Sequence, residues 1–355
     1  MKTKYFFPSR ITSLAKLNRM LMGEDYKDSK FFIIVDENTY THCLPVLISR
    51  VSALEQAEFF EVPVGEEAKS LEVAAQLWGA LLDSGADRNS VILNLGGGCV
   101  SDIGGFVAAG FKRGIRYINI PTTLIGMVDA AIGGKTAVNV ENAKNQVGFF
   151  HQPEAVCIHP DFLDTLEPKD LVSGIFEMAK TLLLCDKYAF EGLLRLALGC
   201  AKIPIKEIMS FIPQCVEFKK SVVEADPSEK SIRKILNFGH TFGHAIEVYR
   251  GLPHGIAVGI GMKAAMYLSV KKVALPEEIY SEYSQWLKKQ LLSINSHLLS
   301  FNLKEIEQML PLMRQDKKNA SGTIRCVLLQ DLGAAMIDVE VSDNEIRDAT
   351  LRLGQ

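Results

Sequence analysis

The fold of this chain is decided by the stretch Val91-Ile-Leu-Asn-Leu95-Gly96-Gly97-Gly98. A short, mostly apolar run that ends in glycines is typical of a buried strand, and the pattern from Val100 to Ala109 indicates a helix directly after it. Backbone N–H groups at such a helix start, with no side chains in the way, suit a pyrophosphate. The run is not the Gly-x-Gly-x-x-Gly fingerprint, so a tight turn with close helix packing remains the alternative explanation.

Two charged positions near this segment allow a functional or a purely local interpretation. Asp102 is expected in the first turn of the predicted helix, where the helix dipole favours a carboxylate. It either caps the helix or accepts hydrogen bonds from a ribose or an amide. Upstream, Gly65-Glu66-Glu67-Ala68-Lys69 opens another helix, and by itself it is best explained as a solvated charged turn.

Short apolar runs alternate with helical patterns through the first half of the chain, which predicts an α/β domain. The predicted strands are Phe31–Val35, Glu58–Val62, Val91–Leu95 and Tyr117–Ile120, and the predicted helices are Leu71–Leu82 and Val100–Ala109.

From about Phe162 onward, apolar residues recur at the helical period, which predicts a mainly α-helical second domain. Near the end, Thr323–Leu329 and Ala335–Val341 flank Asp331-Leu-Gly333, a hairpin pattern that precedes a last helix from about Asp343. The predicted helical segments are 170–200, 205–224, 233–249, 255–272, 276–294 and 303–313.

Composition excludes several classes of protein. The 355 residues are 48% hydrophobic, enough for two domains, and a net charge of −3 disfavours polyanion binding, so we expect no nucleic-acid partner. Seven scattered cysteines without a Cys-x-x-Cys pair argue against a disulfide framework and a cysteine zinc site. Neither a signal peptide nor a membrane span is recognisable, so we expect a cytoplasmic protein without a membrane partner.

Histidines are concentrated in one region, although the chain has only seven. His240 and His244 are one helical turn apart and can converge on one face, and His254 follows. Imidazole binds divalent metals and moves protons near neutral pH. The metalloprotease pattern is rejected because Thr241 stands where its glutamate is needed. A His-x-x-x-His pair alone is more readily explained by two polar helix residues that are satisfied by hydrogen bonds.

A second polar region lies between Pro121 and Gly148 and is expected to be loop-like. Gly133-Gly134-Lys135-Thr136 lacks the remainder of the P-loop pattern and no strand precedes it in the right register, so an ATPase is rejected. Cationic and amide groups in this region and just before it could bind phosphate or carboxylate oxygens, although each alone is usually a surface residue. They are Arg113, Lys135, Lys144 and Asn145.

Glu177 and Lys180 are three residues apart in an apolar helical pattern. Such a pair is ordinarily a helix ion pair that contributes a few tenths of a kcal/mol. In this apolar setting, however, Glu177 is a plausible third metal ligand beside the histidines.

Together and in this order, these segments resemble the 3-dehydroquinate synthase family, the shikimate-pathway members of the sugar-phosphate cyclases. The resemblance runs from about Asp36 to Gly333. Its most specific parts are Gly96–Asp102, Pro121–Leu124 with Asp129 and Lys135, Lys144-Asn145, Glu177 with Lys180, and Leu236–His244.

The resemblance implies a dehydroquinate synthase-like fold: an α/β NAD-binding domain over residues 1–160 and a mainly helical metal- and substrate-binding domain over residues 161–355, with NAD bound between them. Glu177, His240 and His254 would hold Zn²⁺ or Co²⁺, whereas His244 would contact substrate. The spacing alone does not separate His240 from His244.

The same resemblance implies the remaining site residues. Cofactor contacts would be Asp36, Asn38, Gly65, Glu66, Lys69, Gly97, Gly98, Asp102, Thr122, Thr123, Lys144, Phe162 and Thr165. Substrate and catalytic contacts would be Asp129, Lys135, Asn145, Lys180, Lys219, Arg233, Asn237 and His244, with Lys317 or Lys318. Arg113 would reach the active site of a neighbouring subunit, so a homodimer is expected.

The implied reaction converts 3-deoxy-arabino-heptulosonate 7-phosphate to 3-dehydroquinate and phosphate, with NAD regenerated in each turnover. Several positions depart from the family pattern: Ile256 replaces an acidic residue, the interval from His240 to His254 is slightly short, and Ala130, Ala131 and Ser173 replace more usual polar residues. The rival interpretations are another sugar-phosphate cyclase of secondary metabolism, a metal- and NAD-dependent polyol dehydrogenase, and a catalytically inactive binding protein.

Overall fold

The computed structural model describes residues 3–7, 12–141, 143–196, 205–292, 297–314 and 323–355. The chain divides into two compact units, Met1–Leu166 and Glu167–Gln355. In chain order, the strands are β1 (Lys4–Phe6), β2 (Phe31–Asp36), β3 (Glu58–Val62), β4 (Val91–Gly96), β5 (Arg116–Pro121), β6 (Lys135–Val140), β7 (Ala143–Phe150), β8 (Ala155–Cys157), β9 (Ile324–Asp331) and β10 (Ala334–Val341). The helices are α1 (Ser13–Leu21), α2 (Glu37–His42), α3 (Leu44–Arg50), α4 (Leu71–Asp83), α5 (Gly98–Gly110), α6 (Pro168–Cys185), α7 (Lys187–Arg195), α8 (Ile205–Met209), α9 (Ile212–Ala225), α10 (His240–Arg250), α11 (His254–Val273), α12 (Glu277–Leu292), α13 (Leu303–Arg314) and α14 (Asp343–Leu351).

The first unit is built on a parallel sheet with the strand order β1-β8-β5-β4-β2-β3 among its described residues. The strands predicted from the sequence are confirmed to within one residue at each end. Every residue of β4 is buried, as expected for a parallel sheet that is covered on both faces.

The strand order reverses between β2 and β4. From β2 the chain moves outward to β3, and from β3 it crosses back to β4 and then β5 on the other side. In open α/β sheets, ligands bind outside the carboxyl ends of the strands at such a reversal. The starts of α2 and α5 follow β2 and β4 directly, so they lie at this position.

Helices α4 and α5 share one apolar core with the sheet, which includes Phe32, Ile34 and Ile92. Glycines allow α5 to pack closely. A Cβ added at Gly104 would lie 1.8 Å from Oδ1 of Asn94, so no larger residue fits there without displacement.

The expectation of a loop between Pro121 and Gly148 is wrong. A single π-helical turn spans Gly126–Ala130, and β6 pairs with β7 as an antiparallel hairpin from Lys135 opposite Phe150. The glycines and polar residues of this region concealed the short run Thr136, Ala137 and Val138, which is buried in β6.

The second unit is mainly helical, with β9 and β10 as an antiparallel hairpin, and α11, α12, α13 and α14 match their predictions closely. Three other predicted helices are interrupted. Segment 170–200 breaks at Asp186, which is extended and caps α7, and segment 205–224 breaks between α8 and α9. Segment 233–249 is a 3₁₀ helix, Ile232–Asn237, followed by α10, because Gly239 at φ +79° interrupts the helix.

Within the described ranges, the helices are too short or too polar to span a lipid bilayer.

Candidate active site

Three helices of the second unit bring Glu177, His240 and His254 together. Their ligand atoms lie within 4.8 Å of one another. Nε2 of His254 is 3.5 Å from Oε1 of Glu177, and Nε2 of His240 is 3.9 Å from the same oxygen. The three side chains come from α6, α10 and α11, so the site exists only when these helices are packed.

Glycines make this packing possible. A Cβ at Gly255 would lie 1.9 Å from the backbone oxygen of Ser173, and one at Gly259 would lie 2.7 Å from the ring of Phe176, so α11 lies directly against α6. Likewise, a Cβ at Gly261 would lie 2.2 Å from the backbone oxygen of Gly239, where α10 begins. Larger residues at these points would separate the helices that carry the three side chains.

The carboxylate of Glu177 is fully buried, and its two oxygens have different neighbours. Oε2 is 2.6 Å from Nζ of Lys180, which is 1% exposed, so the ion pair predicted at this spacing is present and buried. Oε1 faces the two imidazoles. One carboxylate and two imidazoles are the donors of many catalytic zinc sites, which keep further positions open for water or substrate, so this set fits a divalent metal.

In the metal-free chain, the imidazole of His254 carries a second proton and is positively charged. Burial works to lower the pKa of its imidazole, but hydrogen bonds to the carboxylates of Glu177 and Glu247 outweigh burial and raise the pKa to about 10. A metal must displace that proton, because a ligand nitrogen needs its lone pair. The same carboxylates that attract the proton therefore attract a cation.

His244 lies beside this group, and its position differs from that of His240. Its ring centroid is 5.2 Å from that of His240 and 5.8 Å from that of His254, yet it is not among the clustered ligand atoms. The spacing left the two histidines of α10 equivalent, whereas the packing places His240 toward Glu177. His244 is half-buried and adjacent, which suits contact with a molecule bound there.

Cationic and amide side chains lie in the same unit. Arg233 is 1% exposed and donates from Nη1 to the backbone oxygen of Pro227 at 2.7 Å, and Asn237 donates to Glu229 at 2.8 Å. Both belong to the 3₁₀ helix, while Lys219 is buried on α9, which packs against that helix.

The carboxylate of Asp226 organises the loop that leads to Arg233. It accepts hydrogen bonds from the backbone N–H groups of Lys230, Ser231 and Arg233. Burial works to raise the pKa of Asp226, but these donors outweigh burial and lower the pKa to about 2. The loop is therefore held by hydrogen bonds from three backbone N–H groups to an ionised carboxylate.

In the first unit, the side chain of Lys69 connects several predicted site residues. Its ammonium group donates to Asp102 at 2.6 Å and to Oδ1 of Asn145. Asp102 is the fifth residue of α5, so the expectation that it lies in the first turn is wrong, and its carboxylate pairs with Lys69. Burial works to lower the pKa of Lys69, but the charges of Asp102 and Glu66 outweigh burial and raise it.

The glycines after β4 form a cradle at the start of α5. Gly97 is the N-cap residue, and a Cβ there would lie 3.0 Å from Thr123, while one at Gly98 would lie 3.2 Å from Ala130. Thr122 donates from its backbone to Gly96, so the ends of β4 and β5 lie side by side. Side chains are therefore disfavoured at both positions, and backbone N–H groups at a helix start that no side chain covers suit an anionic group such as a pyrophosphate.

Other predicted cofactor residues also follow strand ends. Asp36 ends β2 and caps α2, with Asn38 exposed two residues later, and Gly65 at φ +73° follows β3. Phe162 and Thr165 lie in a 3₁₀ helix after β8, and the Cys43 thiol is close to both Thr165 and Asp36.

The remaining predicted residues of the first unit are more dispersed. Asp129 is half-buried in the π-helical turn, and Lys135 is exposed on β6. Exposed Lys144 lies 3.9 Å from Glu66. Arg113 is exposed in a left-handed conformation at φ +69°. Lys317 and Lys318 lie outside the described residues.

Sequence reasoning did not single out Glu247 and Asp226, and it treated Ser173 only as a departure. Glu247 accepts from Nδ1 of His254 at 2.8 Å, and Ser173 accepts from the backbone N–H of Gly255 at 2.9 Å. Glu247 is seven residues after His240, two helical turns on the same face, so its spacing was a usable signal. The roles of Asp226 and Ser173 depend on loop and helix packing that no local pattern encodes.

Comparison with known proteins gives a consistent result. Residues 59–173 match the family model for the N-terminal part of 3-dehydroquinate synthase, and residues 174–319 match that for its C-terminal part. The chain is 39% identical over 328 residues to 3-dehydroquinate synthase of Parabacteroides distasonis, covering 91% of each chain. It is 37% identical over 343 residues to that of Bacillus mycoides, covering 95% of this chain and 92% of the relative.

Among solved structures, the fold is similar to that of 2-deoxy-scyllo-inosose synthase in complex with carbaglucose-6-phosphate, NAD⁺ and Co²⁺. The TM-score is 0.82 at 23% identity, covering 99% of this chain and 96% of the other. At that identity the likeness establishes the two-domain fold alone.

Proposed function

The chain belongs to the 3-dehydroquinate synthase family, and we propose that it converts 3-deoxy-arabino-heptulosonate 7-phosphate to 3-dehydroquinate and phosphate in the shikimate pathway of aromatic amino-acid biosynthesis. The observation that carries the proposal is the convergence of Glu177, His240 and His254 in a unit that also buries Lys180, Lys219 and Arg233. A metal site together with buried cations suits an acidic sugar phosphate, whose phosphate and carboxylate are anions.

We propose that Glu177, His240 and His254 hold a divalent metal, zinc or cobalt. The bound metal supplies a Lewis acid that lowers the pKa of coordinated hydroxyls and polarises a carbonyl. One similar solved structure, that of 2-deoxy-scyllo-inosose synthase, contains Co²⁺. Lys180 neutralises the second oxygen of Glu177 and keeps that carboxylate fixed within the helix.

We also propose that NAD is the resident cofactor and that the first unit binds it. NAD supplies reversible hydride transfer. The glycine cradle at Gly97 and Gly98 is the proposed pyrophosphate position, at the reversal of strand order. Thr122 and Thr123 line its edge, and Lys69 and Asp102 offer a donor and an acceptor close by.

The side chains of the second unit are proposed to bind and orient the substrate. Arg233 carries a planar fork that suits a carboxylate, while Lys219 supplies a second buried positive charge. Asn237 can orient a hydroxyl. His244, half-buried beside the predicted metal ligands, is the proposed group that accepts and returns a proton at a substrate hydroxyl. Holding one substrate conformation away from water is the main contribution of these residues.

Three further features follow as proposals from family membership. The chain forms a homodimer, Arg113 contributes to the partner subunit's active site, and the enzyme works in the cytoplasm. Lys112 and Arg113 both have left-handed backbone conformations, and Arg113 is exposed and therefore accessible to a partner subunit.

A cyclase whose sugar-phosphate substrate lacks a carboxylate is the second candidate, because the TM-score to 2-deoxy-scyllo-inosose synthase, solved with carbaglucose-6-phosphate, is 0.82. Two buried cations, Arg233 and Lys219, in the unit that carries the proposed metal ligands favour a substrate that bears a carboxylate as well as a phosphate. Identity of 37–39% to 3-dehydroquinate synthases also favours the first candidate.

The experiment is turnover of purified chain with the heptulosonate phosphate, NAD and zinc, measuring released phosphate, the carbocyclic product and NADH absorbance. We expect phosphate and product in equal amounts without lasting NADH. Accumulating NADH would indicate a polyol dehydrogenase instead. If the chain turned over a sugar phosphate that lacks a carboxylate but did not turn over the heptulosonate phosphate, it would belong to the other class of cyclase.

A further inference from the structure

The Nδ1 atoms of the two histidines in the proposed metal site each face a hydrogen-bond acceptor. Nδ1 of His254 is 2.8 Å from Oε2 of Glu247, and Nδ1 of His240 is 3.1 Å from the backbone oxygen of Phe238. A carbonyl or an ionised carboxylate can only accept, so both Nδ1 atoms must carry the proton. In a neutral imidazole this leaves the lone pair on Nε2, the atom that faces Glu177 in both residues.

The two acceptors are of different kinds. The backbone oxygen of Phe238 is neutral and is placed by the chain just before α10. Glu247 is a charged side chain, two turns along α10 from His240. The turn through Gly251, at φ +63°, ends α10, and α11 then begins with His254, whose ring is thereby placed against α10. One helix therefore supplies a proposed ligand at its start and the acceptor for the other histidine near its end.

We propose that Glu247 is a positioning residue for the metal: its carboxylate fixes the tautomer and ring orientation of His254 and strengthens Nε2 as a donor toward a divalent cation. The proposal rests on the metal site of the proposed function. A carboxylate that accepts from the outer nitrogen of a ligand histidine raises the basicity of that ligand, and its loss typically weakens metal binding roughly 10–100-fold.

A purely structural role for Glu247 makes a different prediction. If it only tied α10 to the start of α11, a glutamine would serve, because an amide oxygen can also accept from Nδ1. Glutamine removes the charge, however, and its amide can turn and donate to Nδ1, which would favour the wrong tautomer. Glu247→Gln therefore separates a structural tie from control of the ligand.

The test measures Zn²⁺ and Co²⁺ affinity and the visible spectrum of the Co²⁺ form, with the full chain, for the wild type, Glu247→Gln and Glu247→Asp. Glu217→Gln is the matched control, because Glu217 is exposed on α9 and the charge change is the same. Unfolding of the chelated proteins verifies that each variant folds. We expect a loss of roughly 10–100-fold in affinity and an altered Co²⁺ spectrum for Glu247→Gln. Glu247→Asp should keep part of the affinity, because it retains the charge.

Three outcomes would overturn the inference. Unchanged affinity and spectrum in Glu247→Gln, with a wild type that binds metal, would refute the role of Glu247 alone. An equal loss of metal affinity in Glu217→Gln would mean that the effect comes from the change in net charge and not from the contact between Glu247 and His254. A wild-type chain that binds neither metal would refute the proposed metal site and this inference with it.

Discussion

The hydroxyl of Ser173 accepts a hydrogen bond of 2.9 Å from the backbone N–H of Gly255, which fixes the start of α11 against α6. Ser173 is one helical turn before Glu177, and Gly255 follows His254 directly. The contact between the two helices is therefore adjacent to two of the three proposed metal ligands. Packing and ligand geometry cannot be changed independently at this point.

Gly255→Ala is predicted to lower both stability and metal affinity. The new Cβ would lie 1.9 Å from the backbone oxygen of Ser173, so α11 must move away from α6. Overpacking of this kind costs about 1–3 kcal/mol, and the displaced His254 should bind metal less tightly. Urea unfolding of the chelated protein and metal titration measure the two effects.

Gly79→Ala is the matched control, because Gly79 also lies within a helix but has open space around its Cβ position. Alanine has the higher helix propensity, so this variant should be neutral or more stable by about 0.5–1 kcal/mol. If Gly255→Ala and Gly79→Ala had equal stability and metal affinity, the close contact between Gly255 and Ser173 would not determine either property.

Lys180→Met is predicted to destabilise the metal-free chain strongly. The ion pair with Glu177 is buried on both sides, and removing Lys180 leaves the carboxylate with the more distant His254 as its cationic partner. The cost should approach the roughly 3–5 kcal/mol of breaking a buried ion pair. Added zinc should restore part of that stability if Glu177 is a ligand. The measurement is urea unfolding with and without zinc, and the double variant Glu177→Gln/Lys180→Met should lose the zinc response altogether.

His240→Ala and His244→Ala are predicted to differ in metal content. His240 faces Glu177, so its loss should abolish metal binding and activity together. His244 lies outside the clustered ligand atoms, so its alanine variant should retain metal but turn over slowly. Metal analysis of the purified variants is the readout, and equal metal loss in both would contradict the assignment.

Local sequence was sufficient for much of the fold. The apolar runs of β2, β3, β4 and β5 and the period of α11 specify their elements, because burial imposes the pattern directly. The hairpin of β6 and β7 was missed because two glycines, Gly133 and Gly134, precede it directly and many of its own residues are polar.

The site was only partly predictable. Spacing put His240 and His244 on one helix, but only the packing of α6, α10 and α11 distinguishes their directions. Residues that act through another group, such as Glu247 on His254, depend on contacts between helices. Contacts of this kind are difficult to predict from the order of residues along the chain.

Arg233→Lys is predicted to raise KM for the substrate with less effect on kcat. A lysine keeps the charge but loses the planar fork that suits a carboxylate. One charge-assisted hydrogen bond contributes about 1.5–3 kcal/mol, so KM should rise roughly tenfold or more. Arg195→Lys is the control, because Arg195 is exposed at the end of α7, and unchanged kinetics in Arg233→Lys would contradict the carboxylate role.

Lys263 is predicted to make stability depend on pH in the alkaline range. It is buried on α11 and donates to the backbone oxygen of Leu353 near the end of the chain at 2.8 Å. Burial, assisted by the charge of Lys288, lowers the pKa of its ammonium group to about 8 from an ordinary 10.5.

The direction of this pH dependence follows from how strongly the folded and the unfolded chain bind the Lys263 proton. Between about pH 8 and 10.5 the unfolded chain binds the Lys263 proton more strongly than the folded chain does, so the free energy of unfolding contributed by this residue rises with pH across that window. Below it, both states are protonated and the contribution is constant. Urea unfolding of chelated wild type and Lys263→Met across the window measures it. The difference in the free energy of unfolding, wild type minus variant, should grow with pH, and a constant difference would mean that the buried ammonium group keeps its ordinary pKa.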